Sequence, residues 1–221
     1  MNIEQARFNM IEQQIRTWEV LDPSVLELLA VVKREDFVPA AHRAMAFMDL
    51  EVPLLEGGAK GQCMLEPKVE ARLLQELAVG KHEKVLEIGT GSGYMAALLA
   101  HKAQRVLTLE INPELAKTAT ENLKRAAVTN VEVRQADGSK GSLPEGPFDV
   151  ILASGSVAEV PQPLLDQLKI GGRLATIVGS EPVMRAVVVT RTGEREYRTV
   201  EIFDTVAPRL QGFAEPPKFR F

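Results

Sequence analysis

Lys84-Val-Leu-Glu-Ile-Gly-Thr-Gly-Ser-Gly-Tyr-Met-Ala-Ala-Leu-Leu-Ala100 is the stretch that decides how this chain of 221 residues folds. It begins as a short apolar segment, Val85 to Ile88, passes three glycines spaced two apart, and continues as an apolar run of helical character. This order predicts a strand, a tight turn and a helix, the unit from which open α/β sheets build nucleotide-type sites. Glycines in the turn let the backbone bend sharply and let a ligand approach without meeting a Cβ atom.

Two details separate this turn from a dinucleotide site. Gly89, Gly91 and Gly93 follow a G-x-G-x-G spacing rather than G-x-G-x-x-G, and Glu87 stands two positions before the first of them. A carboxylate at that position would serve a pyrophosphate poorly but would tolerate a ligand that carries an amine or a sulfonium. An NAD-dependent oxidoreductase is therefore disfavoured. A corner whose glycines serve only packing stays open as an alternative.

Composition and charge restrict the class of protein. With 45% hydrophobic and 25% charged residues the chain is an ordinary globular one, and its length suits one α/β domain with an N-terminal appendage. The formal net charge of -4 gives no general nucleic-acid footprint, and the single cysteine, Cys63, excludes a disulfide framework and a cysteine-based metal site. No signal core or run of roughly 18 apolar residues is present. We therefore expect a cytoplasmic protein that binds no nucleic acid, membrane or metal.

The first 80 residues predict a helical cap ahead of the glycine-rich turn. Helices are expected over residues 2–18, from Asp22-Pro23 onward, and over 40–47 and 68–77. Phe8 is placed on the inward face of the first helix, and Gly80 is expected to end the last. An extended segment over 49–55 and a glycine-rich loop over 56–61 lie between them. We divide the chain into a cap with its loop, 1–80, and a ligand-binding domain, 81–221, within one compact unit.

From Val85 onward, short strands alternate with helices, which predicts a parallel sheet. Strands are expected at 85–88, 105–110, 131–135, 148–153, 173–178, 186–190 and 198–203, with helices at 94–102, 113–126 and 163–168. The fourth strand is expected to open into a loop, Ser154-Gly155-Ser156, and Gly171-Gly172 to turn into the fifth. Thr192-Gly193 signals a terminal hairpin. The tail from Pro208 to Phe221 is expected to be irregular or mobile.

Acidic residues follow the second and third predicted strands. Glu110 lies about 20 residues beyond the glycines, where a carboxylate of an α/β sheet accepts hydrogen bonds from ribose hydroxyls. Asp137 comes directly after the third strand and is followed by Gly138. The plain alternatives are a solvated strand-end glutamate and a turn-forming Asp-Gly pair.

The pattern Glu87-x-Gly89-x-Gly91-x-Gly93 resembles the first motif of the class I S-adenosylmethionine-dependent methyltransferases. The order of segments resembles the protein-L-isoaspartate O-methyltransferase family along almost the whole chain. The blocks that carry this likeness are Met10-Ile-Glu-Gln-Gln-Ile15, Arg34-Glu-Asp-Phe-Val-Pro39, Leu86-Glu-Ile-Gly-Thr-Gly-Ser-Gly-Tyr94, Ala136-Asp-Gly-Ser139 and Leu164-Leu-Asp-Gln-Leu-Lys-Ile-Gly-Gly-Arg-Leu174.

The resemblance implies a doubly wound, mostly parallel, seven-stranded class I methyltransferase sheet with an N-terminal helical cap and a C-terminal β-hairpin. It implies S-adenosylmethionine as cofactor and S-adenosylhomocysteine as product. Glu87 and the backbone of Gly89 to Gly93 would hold the methionine end, Glu110 the ribose, and Asp137 with Gly138 the adenine. The expected cofactor-binding residues are Glu87, Gly89, Thr90, Gly91, Gly93, Glu110, Ile111, Asp137 and Gly138.

One block departs from the family pattern. Ahead of the ligand domain the family usually has Gly-Gln-Thr-Ile-Ser followed, one residue on, by proline, whereas this chain has Gly61-Gln-Cys-Met-Leu-Glu-Pro67. The family's active-site serine falls on Leu65 and its threonine on Cys63, so two hydroxyls are lost from the loop expected to face the substrate. Glu66, if it pointed inward, would repel a carboxylate.

The implied reaction is methyl transfer to a carboxylate of isoaspartyl residues in damaged proteins. Such a carboxylate has a pKa near ~4 and is ionised at neutral pH, so it needs no general base. We therefore assign no catalytic residue; alignment and exclusion of water are what the protein must supply. Because of Leu65, two alternatives stay open: a related methyltransferase with another acceptor, a small molecule included, and a non-catalytic S-adenosylmethionine-binding homologue.

Overall fold

The computed structural model describes residues 2–55, 57 and 61–215, and its first part is a helical cap with one small hairpin. Its helical segments are α1 (Ile3–Asn9), π-helical turns (Met10–Ile15), a 3-10 turn (Arg16–Trp18), α2 (Pro23–Val31), two further 3-10 segments (Arg34–Asp36 and Ala40–Met45) and α3 (Pro67–Leu77). The short strands β1 (Val52–Pro53) and β2 (Cys63–Met64) pair antiparallel. Residues 56 and 58–60 of the predicted glycine-rich loop lie outside the described residues.

Within the described chain, seven strands form one sheet with the order β5-β4-β3-β6-β7-β8-β9. They are β3 (Lys84–Ile88), β4 (Arg105–Glu110), β5 (Val131–Gln135), β6 (Phe148–Val157), β7 (Leu168–Ser180), β8 (Val183–Arg191) and β9 (Tyr197–Thr205). The pairs among β3 to β7 are parallel, whereas β8 runs antiparallel to β7 and β9 antiparallel to β8. The predicted seven-stranded, mostly parallel α/β sheet and its C-terminal hairpin are confirmed.

Helices cover both faces of the sheet because its central strands are apolar on both faces. α3, α4 (Tyr94–Lys102) and α5 (Pro113–Arg125) share one buried cluster with the sheet, and α6 (Gln162–Leu165) packs into a second. β3 lies between β4 and β6. The chain adds β4 and β5 on one side of β3 and then crosses to add β6 on the other side, so the direction of strand addition reverses beside β3. Ligands of open α/β sheets bind at the carboxyl ends of the strands at such a switch point.

The cap differs from its sequence prediction along the first helix and the extended segment. Phe8 is 58% exposed rather than inward. The cause is the change to π-helical turns at Met10, which alters which residues face the core. Of the predicted extended segment 49–55, only Val52–Pro53 forms a strand.

α3 ends at Leu77 as predicted, but Gly80 is not the residue that ends it. The helix stops at Leu77, and Ala78 takes a left-handed conformation with φ 44°, two residues before Gly80. Arg173 donates hydrogen bonds to the carbonyl oxygens of Leu77 and Ala78. These long-range bonds satisfy carbonyls that the helix end leaves free.

The fourth strand of the parallel series is longer than predicted, since β6 continues through Ser154-Gly155-Ser156 instead of opening into a loop. Between Leu152 and Ser156, β6 has three residues where β7 has one, so two extra residues bulge from the pairing. Ser156 stays extended because its backbone pairs on the other side with the tail, donating to Pro208 O at 2.8 Å and accepting from Leu210 N at 2.9 Å.

The start of β7 and the end of α6 also differ from their predicted positions, again because of strand pairing. Leu168 already pairs with Phe148, so β7 begins before the double glycine, and residues 169–172 bulge within the strand. α6 therefore ends at Leu165 rather than at 168. After β9 the backbone is irregular, as predicted, but residues 207–212 pack on the sheet edge; residues 216–221 of the predicted mobile tail lie outside the described residues.

Candidate active site

Two adjoining cavities lie at the carboxyl ends of β3, β4 and β6. The main cavity encloses about 630 Å³ of space between the protein atoms, part of it open to solvent. It is lined by Leu54, Gly61, Gln62, Cys63, Ile88, Gly89, Gly91, Leu109, Glu110, Ile111, Leu115, Ala136, Gly138, Ser154, Arg209, Leu210 and Gln211. The inner cavity, about 370 Å³, is lined by Cys63, Met64, Leu65, Glu70, Leu73, Glu87, Gly89, Thr90, Gly91, Ser92, Met95 and Ser154.

The glycine turn forms the wall that the two cavities share. Gly89 and Gly91 have φ values of +91° and +53°, in the left-handed region that favours glycine. The backbone N–H groups of Gly89 and Thr90 donate to Leu109 O at 2.9 and 3.3 Å, which ties the turn to β4. The predicted ligand turn therefore lies where both cavities have access to its backbone.

Glu110 lies at the main cavity, where its carboxylate braces the same turn. Oε2 accepts a hydrogen bond from Gly91 N at 2.8 Å, and Oε1 accepts one from Asn112 N at 3.0 Å. The side chain is buried. Each carboxylate oxygen has a further lone pair, so Glu110 can still accept hydrogen bonds from a diol.

Glu87 is fully buried beneath the turn and faces the inner cavity. Its Oε2 accepts from Thr108 Oγ1 at 2.7 Å and its Oε1 from Ser154 Oγ at 2.9 Å. Burial raises the pKa of Glu87 to about 8, although these two hydrogen bonds oppose the shift. The carboxyl group is therefore mostly neutral at pH 7 until a cation comes to face it.

Other predicted residues divide between the cavities. Ile111 and Gly138 line the main cavity, and Thr90 lines the inner one. The Thr90 hydroxyl lies 2.6 Å from Thr108 Oγ1, so it extends the hydrogen-bonded chain that ends on Glu87. Thr108 carries no sequence signal beyond being a polar residue within the apolar run Arg105–Glu110, and the sequence analysis missed it.

Asp137 and Gly93 line neither cavity. Ser139 donates to Asp137 Oδ1 from its hydroxyl at 2.6 Å and from its backbone at 3.0 Å, which lowers the pKa of the Asp137 carboxyl. Gly93 begins α4 with φ +85°, and a Cβ atom there would lie 3.2 Å from Leu123 Cγ and 3.3 Å from Ala119 O. Gly93 therefore allows α4 and α5 to pack closely together.

Replacing Gly93 by alanine should lower the free energy of unfolding by about 1–3 kcal/mol, because a left-handed alanine is strained and meets Leu123. Chemical denaturation of the free protein measures this. Gly141, which also has a positive φ but has open space around it, is the matched control. A Gly93→Ala protein no less stable than Gly141→Ala would contradict the packing role.

The loop that departs from the family pattern borders both cavities. Leu65 is buried and lines the inner cavity, and Cys63 lines both. Burial, followed by the nearby Glu51 carboxylate, raises the pKa of the Cys63 thiol to about 12, so Cys63 is no thiolate nucleophile. Glu66 does not point inward: its carboxylate lies 3.3 Å from Lys68 Nζ. The repulsion considered from the sequence is therefore absent.

A buried arginine fixes this loop. Arg34 is 1% exposed, forms an ion pair with Glu70 and donates from Nη2 to Leu65 O at 2.8 Å. Burial raises the pKa of Glu70 to about 7, against the opposing effect of Arg34. The Arg34 guanidinium also lies 5.3 Å from the centre of the Tyr94 ring, so it joins the cap, the loop and the start of α4.

Sequence reasoning missed the tail as part of the site. Three residues of the tail line the main cavity: Arg209, Leu210 and Gln211. The tail carries no motif that would have indicated this. Over the described ranges, no group of three or more His, Cys, Asp or Glu side chains is arranged to hold a metal ion. No helix among the described residues is long and apolar enough to cross a membrane.

The family model for protein-L-isoaspartate(D-aspartate) O-methyltransferase matches residues 5–206. The chain belongs to this family. The protein is therefore a methyltransferase. A protein-L-isoaspartate O-methyltransferase of Methanoculleus marisnigri is 42% identical over 191 residues, 86% of this chain and 85% of that one. Protein-L-isoaspartate O-methyltransferase 1 of Syntrophobacter fumaroxidans is 42% identical over 189 residues, 86% of each chain.

Solved structures of the family share the fold. A Plasmodium falciparum structure assigned as a protein-L-isoaspartate O-methyltransferase, in complex with S-adenosyl-L-homocysteine, matches with a TM-score of 0.79 at 20% identity, covering 93% of this chain and 98% of that one. A second protein-L-isoaspartate O-methyltransferase matches with a TM-score of 0.76 at 21% identity, covering 92% of this chain and 66% of that one. The class I methyltransferase fold inferred from the sequence is confirmed.

Proposed function

We propose that this protein transfers the methyl group of S-adenosylmethionine to the free carboxylate of isoaspartyl residues in damaged proteins, a protein-repair reaction. The observation that carries this proposal is the family match over residues 5–206, which includes the glycine turn at the two cavities. Its acceptors are proteins or peptides.

The chemistry of the two cavities fits the cofactor. Gly89 and Gly91 present bare backbone to both cavities, in conformations that favour glycine. In our assignment Glu110 holds the ribose hydroxyls, Glu87 faces the cationic methionine end, and Gly138 with Asp137 borders the adenine. Bound S-adenosylmethionine supplies an electrophilic methyl group on a positively charged sulfur.

The chain's own task is to orient the acceptor and to exclude water. The acceptor carboxylate is ionised at neutral pH, so it requires no base. Among the titratable groups at the cavities, Glu87 and Glu70 have raised pKa values, and Cys63 holds its proton. Positioning of this kind is worth roughly 7–11 kcal/mol of a reaction barrier.

Leu65 gives a specific reason to test a second acceptor. It places an apolar side chain where the family has a hydroxyl, beside Met64, Leu73 and Met95 in the inner cavity. An acceptor that packs against apolar groups would use this surface better than a carboxylate would. A methyltransferase with such an acceptor is the second candidate.

Methyl transfer from labelled S-adenosylmethionine should reach an isoaspartyl peptide and should not reach its aspartyl isomer. The product should be a methyl ester, which alkali releases as volatile methanol. Glu110→Ala protein is the control for transfer that does not require the bound cofactor. Label that enters only other components of a cell lysate would favour the second candidate, and tight binding without transfer would favour a non-catalytic homologue.

Besides the cofactor-binding roles of the site residues, two assignments remain predictions. The division at residue 80 into a cap and a cofactor-binding domain is one. The cytoplasmic location is the other.

A further inference from the structure

Residues 207–212, here called the strap, cross the carboxyl edge of the sheet from β6 towards β5. The strap pairs with Ser156 through two backbone hydrogen bonds, from Ser156 N to Pro208 O and from Leu210 N to Ser156 O. At its far end it lies close against Asp137, since a Cβ atom on Gly212 would be 2.5 Å from Asp137 Oδ1. Arg209, Leu210 and Gln211 line the main cavity, so the strap forms one of its walls.

Leu210 of the strap fits between Gly155 of β6 and Gly89 of the glycine turn. A Cβ atom on Gly155 would lie 2.9 Å from Leu210 Cγ and Cδ2, and one on Gly89 would lie 3.0 Å from Leu210 Cδ2. Any side chain on Gly155 would displace Leu210. The leucine thus packs directly on the first glycine of the ligand turn, beside the place assigned to the methionine end of the cofactor.

Arg209 fixes the strap from the other side. Its Nη2 donates to Gly179 O at 2.8 Å and lies 3.4 Å from Ser180 Oγ, so it reaches the end of β7. Its Nη1 lies 3.4 Å from Ser156 Oγ, and its Nε pairs with Glu215 at 2.8 Å. These contacts use four of the five guanidinium N–H groups, so Arg209 acts on the cavity mainly by holding the strap in place.

We propose that Arg209 is a positioning residue for methyl transfer: it pins the strap and so seats Leu210 between Gly89 and Gly155, where Leu210 shields the sulfonium end of the cofactor. This inference rests on the proposed function. The reaction brings a carboxylate and a sulfonium together and neutralises both, and water stabilises the separated charges more than the transition state. A dry wall at Gly89 therefore favours transfer, and the same wall retains the bound cofactor.

The test compares Arg209→Gln and Leu210→Ala with the conservative variant Leu210→Met. We expect S-adenosylhomocysteine, preloaded and chased with unlabelled ligand, to dissociate about tenfold faster from the first two variants, since each loses apolar contact at the ligand. With the isoaspartyl peptide, kcat should fall by roughly 10- to 100-fold while the peptide KM changes little. Leu210→Met should keep both the dissociation rate and kcat close to the wild-type values.

Arg185→Gln is the matched control, because Arg185 is an exposed arginine of β8 that pairs with Glu201 and Asp204 away from the cavities. Unchanged dissociation rates in Arg209→Gln and Leu210→Ala would overturn the proposal. A Leu210→Met variant as impaired as Leu210→Ala would overturn it as well. The dissociation rate needs no acceptor. A wild-type protein that holds S-adenosylhomocysteine but ignores the peptide would therefore contradict the proposed function and still test the strap.

Discussion

Replacing Glu110 by alanine should weaken the binding of S-adenosylhomocysteine by at least about 100-fold, because hydrogen bonds to a charged group contribute ~1.5–3 kcal/mol each. Two such bonds to ribose hydroxyls are assigned to this carboxylate. The same carboxylate accepts from Gly91 N and Asn112 N, so its loss also frees the turn that carries the ligand. Isothermal calorimetry measures the affinity directly.

The two contributions of Glu110 can be separated with a ligand that lacks the ribose hydroxyls. Compared with S-adenosylhomocysteine, such a ligand should bind the wild-type protein much more weakly. Its affinity for Glu110→Ala should differ far less from that of S-adenosylhomocysteine, because the carboxylate acceptor is already gone. Glu114→Ala, an exposed acidic residue in the first turn of α5, controls for net charge. Wild-type affinity in Glu110→Ala would remove the ribose assignment and leave Glu110 as a brace of the turn only.

The sequence was sufficient to predict the segment from Lys84 to Lys102 because its structure is decided locally. An apolar strand, glycines that permit left-handed φ values and an apolar helix follow one another without an intervening loop. The cap of α5 is equally local: Asn112 Oδ1 accepts from Glu114 N and Leu115 N, as the Asn-Pro pair predicts. Where neighbours in sequence decide the conformation, the prediction is confirmed.

The sequence was insufficient where a partner lies far along the chain. Ser154-Gly155-Ser156 has the composition of a loop, yet Ser156 is held extended by Ala207 and Pro208, about fifty positions later. Arg173 binds the last carbonyls of α3 from almost a hundred positions away, a contact that no signal near Gly80 reveals. The same limit hid the strap, which contains one proline, Pro208, and no recognisable motif.

Glu87 should make cofactor binding depend on pH between 6 and 7.5. Its carboxyl group is fully buried, and its hydrogen bonds within the described part of the chain come from the hydroxyls of Thr108 and Ser154. Burial raises its pKa to about 8, and the nearby carboxylates of Glu70 and Glu110 add to the shift. The free protein therefore carries a neutral Glu87 over most of this range.

A bound cofactor changes that balance because its ammonium and sulfonium favour the ionised carboxylate. Binding must then release a proton, so affinity should rise by up to about tenfold per pH unit over this range, where the ligand's amino group is still protonated. Calorimetry in two buffers of different ionisation enthalpy measures the released proton. Glu87→Gln should bind more weakly, with a flat pH profile and no proton release.

Stability of the free protein should change in the opposite sense. Because the folded state raises the pKa of Glu87 above its usual 4.5, it binds more protons than the unfolded chain, and this contribution to stability is present below pH 4.5 and lost as the pH rises through about 8. Glutamine mimics the neutral acid, so Glu87→Gln should be about as stable as the wild type at pH 4 and more stable at pH 8.5. Parallel profiles of the two proteins would place the proton on another group, and Glu70, whose pKa is raised to about 7 beside the same cavity, would be the next to test.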